Sequence, residues 1–154
     1  MRNLSSTLAI AALVAVCACS NRDTTGPATL SHASMSAVID GAAWTAVSIS
    51  TDSASPSSII IRGSRATQTL VVAIPVDQGP GTQTVGSTTP VYAGLVVGSQ
   101  SWLASRTQGG SGSITLTTVA PGHIVGTFEF TLAKHEGAPA ADRQVSSGQF
   151  DVNY

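Results

Sequence analysis

The chain has 154 residues, is 42% hydrophobic and only 10% charged, and sets seven Lys and Arg against eight Asp and Glu. That length suffices for one domain with a real core. No basic patch is present to neutralise phosphates, so nucleic-acid binding has no electrostatic basis, and a polybasic hold on anionic lipid is excluded too.

The first 19 residues read as an export signal and not as fold. Met1-Arg2-Asn3 carries a positive charge, Leu4 to Val16 is a short apolar run, and small residues with two cysteines follow. The apolar run falls well short of the roughly 20 residues that span a bilayer as a helix. The segment V-A-V-C-A-C-S resembles a bacterial lipoprotein processing box, with Cys19 as the lipid-attachment residue because the small Ala18 precedes it, whereas Val16 precedes Cys17. A Cys17–Cys19 disulfide would close too short a loop. Ordinary cleavage near the same place, with release, is the alternative. Ser20 resembles the outer-membrane choice where Asp after the Cys means retention. Removing Arg2 leaves six basic against eight acidic residues, a formal charge of −2. No cysteine follows Cys19, so the exported domain folds without disulfides or cysteine-ligated metal.

Residues 20–33 are polar, contain Gly26-Pro27 and read as a tether. A single all-β domain is expected over 34–154. Ser34 to Ile39 is the first strand, with Met35 and Val38 as core contacts. Asp40-Gly41 is a tight-turn signal, since Gly tolerates positive φ and Asp bonds local backbone. Trp44 to Ser50 is the next strand, and the Ser- and Asp-rich segment from Thr51 to Ser57, with Pro56, is a loop. Strands follow at Ser58–Arg62 and Gln68–Pro75. The second of these is apolar on both parities, so it is central or covered on both sides.

Asp77 to Pro90 is turn-rich, with room for a short edge strand near Gly81–Val85 whose Thr and Gln face solvent. Val91–Val97 and Ser99–Ala104 are strands, with Gly94 and Gly98 as bends. Gln108 to Gly112 is a flexible connection. Ser113–Val119 and Ile124–Leu132 alternate in period two and form a hairpin across Ala120-Pro121-Gly122. In the second, Ile124, Gly126, Phe128, Phe130 and Leu132 share one parity, so that side faces a core. Arg143 to Tyr154 is the last strand, interrupted by a bulge near Gly148 and tied in at Tyr154. The expected fold is all-β and antiparallel, with eight to ten short strands in a β-sandwich or a curved, barrel-like sheet.

Four segments carry a resemblance: M-S-A-V-I-D-G-A-A-W, G-S-G-S-I-T-L-T-T, G-H-I-V-G-T-F-E-F-T-L and S-S-G-Q-F-D-V-N-Y. Over about residues 35 to 154 the chain resembles an uncharacterised bacterial lipoprotein family, domain of unknown function 6252. The resemblance implies an all-β cell-envelope lipoprotein and transfers no catalytic residue. That family usually has Asn where Asp40 stands, which keeps the turn chemistry.

The residues themselves supply little chemistry. His135-Glu136 lacks the H-E-x-x-H spacing, and Gly137, Ala138 and Pro139 forbid its helix. His123 sits at a turn–strand boundary and reads as solvated. The carboxylates are scattered singly, no EF-hand loop is present, and only folding would gather Asp77, Asp142 and backbone carbonyls around calcium. Glu129 and Asp151 read as cross-strand partners for Arg or Lys. Trp102, Tyr92 and Trp44, with Tyr154, are the candidate ligand-binding residues, because aromatic rings stack on sugars or line apolar pockets. The expectation is a non-enzymatic envelope lipoprotein, anchored in the outer membrane by its lipid, with a structural or protein-interaction role. The alternative is a tethered module for carbohydrate or a small apolar ligand. No cofactor is expected.

Overall fold

A computed structural model describes residues 33–86, 91–139 and 141–154. The export signal, Cys19 and residues 20–32 lie outside them. Among the described residues the chain forms eleven strands. They are β1 (Ser34–Ile39), β2 (Ala42–Thr45), β3 (Ser48–Ser55), β4 (Ser58–Arg65), β5 (Gln68–Pro75) and β6 (Gly81–Thr84). There follow β7 (Tyr92–Val97), β8 (Gln100–Ala104), β9 (Ser111–Ala120), β10 (His123–Lys134) and β11 (Arg143–Asn153).

All pairings are antiparallel, and the strands make one curled sheet in the form of a half-barrel. The sheet has two limbs that share β10. One limb runs β2-β1-β11-β10 and continues through β9 to β6; the other runs from β10 through β8, β7, β5 and β4 to β3. The long β10 makes this possible. Its residues His123 to Thr131 pair with β9, and Ala133 and Lys134 pair with β8. At the opposite corner the chain changes limbs within one residue: the Ala46 N–H donates to the Met35 carbonyl at 2.9 Å and the Val47 N–H to the Ser64 carbonyl at 2.8 Å.

That corner corrects two expectations. The strand expected over 44–50 is broken at Ala46-Val47, and the loop expected from Thr51 to Ser57 is mostly strand. Ser and Asp have poor strand propensity, but the ladder offered by Ile59, Ile60 and Ile61 of β4 overrides it. Both faces of β3 stay largely solvated, which suits an edge.

Period two decides the core. Ile124, Gly126, Phe128, Phe130 and Leu132 are buried on one side of β10, as their parity requires. Met35, Ala37 and Ile39 are the buried side of β1; Val38 lies on the opposite parity, so only one of its two expected core contacts is one. β5 is central, between β4 and β7.

The three Phe residues stack, with Phe128 to Phe130 at 5.7 Å and Phe128 to Phe150 at 6.2 Å between centroids. Each lies against the glycine directly opposite it on a neighbouring strand. The register pairs Gly126 with Phe150, Phe128 with Gly148, and Phe130 with Gly112. A methyl at Gly126 would sit 2.7 Å from the Phe150 ring, one at Gly112 would sit 2.6 Å from Phe130, and one at Gly148 would overlap Phe128. The glycines make room for rings lying flat on the sheet. The stretch Gln108 to Gly112 is therefore not simply flexible: a methyl at Gly110 would also stand 2.8 Å from Ala104 and Leu103 backbone.

Candidate functional site

One recess follows from a bulge. Between Phe128 and Phe130 the register with β11 slips by one residue, and Ser147 takes φ 50°. The bulge bends β11 and hollows the outer face of β9, β10 and β11. A depression of about 420 Å³ there is lined by Ser113, Thr115, Thr127, Glu129 and Gln149 among others. Two more adjoin it, of about 230 Å³ around Thr131 and Gln144, and about 310 Å³ around Val125 and Asp151. Glu129 borders the first and second, and Thr127 and Gln149 border the first and third. Together they form a shallow polar trough along β10.

Several of its polar groups are held by their neighbours. Thr131 donates to Gln144 Oε1 at 3.0 Å, Gln149 Nε2 donates to Ser36 Oγ at 3.0 Å, and the Thr82 and Thr115 hydroxyls meet at 2.8 Å. Glu129 makes no ion pair among the described residues, so the Arg or Lys expected across from it is absent. Two cations are engaged by other carboxylates: Arg62 pairs with Asp52, and Arg143 with Asp40 at 2.8 Å. Asp151 takes a histidine, His123 Nε2, at 2.8 Å.

The aromatic candidates do not converge on the trough. Trp102 is 1% exposed; its Nε1–H donates to the Ala141 carbonyl at 3.0 Å, and the Arg143 guanidinium lies 4.8 Å from its ring centroid. Trp44 is 3% exposed, and its Nε1 has no partner among the described residues. Both rings belong to the core and offer no free face to a ligand from solvent. Tyr92 is half-buried at the start of β7, on the outer face of the other limb. Tyr154 is tied in as expected, its N–H donating to the Gly122 carbonyl and its hydroxyl to the Ala120 carbonyl.

The polar residue that the sequence misplaces is Gln83. Expected to face solvent, it is 6% exposed, with Nε2 donating to the Pro75 carbonyl at 3.2 Å and Oε1 unpaired among the described residues. Its register partner Ile114 faces the core, so period two carries Gln83 inward as well. The His123–Asp151 pair is on the surface, and His135 lies in the loop after β10, its N–H bonded to the Ser101 carbonyl. Among the described residues no three His, Cys, Asp or Glu side chains gather.

The family described as Domain of unknown function (DUF6252) matches residues 31–151. No curated protein and no solved structure matches the chain.

Proposed function

The chain belongs to the domain of unknown function 6252 family, and from that premise we propose a non-enzymatic envelope lipoprotein, held in the outer membrane by a lipid on Cys19. Residues 20–33 act as the tether, and the domain from Ser34 onward serves as a structural or protein-interaction module. The observation that supports a docking role is the trough itself: a shallow, polar, hydrogen-bonded surface on strands that the core holds rigid. Such a surface suits a macromolecular partner better than a small apolar ligand, which needs a concave apolar pocket.

The anchor is tested by growing a bacterial host that expresses the full chain with an alkyne fatty acid. The wild type incorporates label and fractionates with the outer membrane; Cys19→Ser incorporates none. An unlabelled wild type released in soluble form contradicts the proposal. The second reading, carbohydrate binding, draws on the same hydroxyl, amide and carboxylate groups. It predicts glycan binding that Glu129→Ala and Gln149→Ala both weaken.

A further inference from the structure

The trough carries negative charge that the chain itself does not answer. Glu129 stands opposite the bulge in β11. Phe128 pairs with Gly148 and Phe130 with Val145, so Ser146 and Ser147 together oppose one residue and neither sits squarely across from Glu129. On a regular ladder a direct cross-strand neighbour would cover that carboxylate. On the β9 side its register partner is Ser113. The side chains of Ser113, Thr127, Glu129 and Ser147 line one depression and make no hydrogen bond among the described residues. Asp151 is the second carboxylate. It lines the depression at the other end of the trough, and its partner is His123, not a Lys or Arg. Among the described residues no Lys or Arg lines any of the three depressions. Val125 pairs with Asp151, so the parity that turns Glu129 outward turns Asp151 outward too, and both are exposed. Val125 lies about 13 Å along the strand from Glu129, and Asp151 lies one strand spacing, about 4.8 Å, to its side. The two carboxylates are therefore rooted about 14 Å apart, with Thr127 and Gln149 between them.

We infer that the trough receives an extended protein segment whose Lys or Arg side chains at positions i and i+4 meet Asp151 and Glu129; the inference deepens the docking role proposed above and rests on it. Spacing and charge together select this occupant. In an extended chain, residues i and i+4 lie on one face about 13 Å apart, whereas i and i+3 point to opposite faces. The residue at i+2 then comes down over Thr127 and Gln149, where a short polar side chain meets a hydroxyl and an amide. A guanidinium or ammonium at Glu129 has several N–H donors to spend, and the free hydroxyls of Ser113, Thr127 and Ser147 supply acceptors around the carboxylate. A metal ion fits less well. Among the described residues no three His, Cys, Asp or Glu side chains gather, and one ion does not bridge carboxylates rooted about 14 Å apart. A neutral glycan would leave both carboxylates unanswered.

The test measures the binding of dye-labelled synthetic peptides to the full chain by fluorescence anisotropy. The first probe is a seven-residue Ser/Thr peptide with arginine at its second and sixth positions. An isomer carries the arginines at the second and fifth, and a neutral version has glutamine in place of both. The first peptide is expected to bind more tightly than its isomer by roughly 2–5-fold, the worth of one exposed ion pair, and to weaken as salt is raised. Glu129→Gln and Asp151→Asn should each weaken it by a similar factor with the circular dichroism unchanged, and the double variant should bind the two isomers equally. Val96→Ser, on the other limb, should leave every affinity as it was. Equal binding of the two isomers by the wild type overturns the inference, because attraction without register needs no such segment. So does binding that survives the double variant. The neutral peptide separates the inference from the docking role. If it binds as tightly as the first peptide and Thr127→Arg blocks it, the charge pairing falls and docking at the trough stands. If no peptide binds, the inference falls, and a screen of neutral glycans on the same protein decides whether the trough is a docking surface at all.

Discussion

At the scale of residues, the Phe–Gly pairs carry the tightest constraint. Truncating Phe128 opens a cavity in a core where its ring touches two others, and Phe128→Ala should cost about 3–5 kcal/mol. An unchanged denaturation midpoint would contradict its place in the core. Gly148→Ala should cost about 1–3 kcal/mol by overpacking. Because the added methyl meets the Phe128 ring, the double variant should be less destabilised than the sum of the two, with a coupling of about 0.5–3 kcal/mol. Simple additivity of the two midpoint shifts would mean that the ring does not lie over the glycine. These pairs give a physical reason for the spacing I-x-G-T-F-x-F and G-x-F: the same residues that make the motif recognisable make the stack. What the sequence hides is which glycine belongs to which ring, because that depends on a register offset by the Ser147 bulge. Trp44 and Trp102 are hidden for another reason. An isolated Trp in a short strand has the same local pattern whether its ring is inside or at a ligand site.

At the scale of elements, local chemistry was legible wherever it acts within a few residues. Asp40-Gly41 forms the expected turn with both residues at positive φ, 49° and 82°. Asp40 does more than turn the chain: Oδ1 accepts from the Gln144 N–H at 2.9 Å, and Oδ2 approaches Arg143. Asn keeps the turn and that acceptor and loses only a partly exposed ion pair, so Asp40→Asn should change stability by less than about 1 kcal/mol. Asp40→Ala loses the acceptor and puts an ordinary side chain at positive φ, and should cost about 1–3 kcal/mol. Chemical denaturation distinguishes them, and equal losses for Asn and Ala would contradict the role of the side-chain oxygen. The β9–β10 hairpin was likewise readable from Pro121-Gly122 between alternating strands. β3 was not, because its strand state comes from β4 across the ladder and not from its own Ser-rich sequence. Gln83 illustrates the same limit, since its burial is fixed by the face of β9 that it joins.

At the scale of the whole molecule, the trough was out of reach of the sequence, because it gathers residues from three strands. Its determinant is β10. It is the strand shared by both limbs, bonded to β11 along nearly all its length and to β9 and then β8 on its other edge. If β10 unfolds, the two limbs separate and the trough loses its support. Its central amides should therefore open only with the entire domain, whereas those of the edge strand β3 should open locally. Hydrogen exchange on the full chain measures this most directly. The predicted result is that the slowest amides are those around Gly126 to Phe130, exchanging at the limit set by global unfolding, with β3 orders of magnitude faster. Rapid exchange through β10 while β4, β5 and β7 remain protected would contradict it.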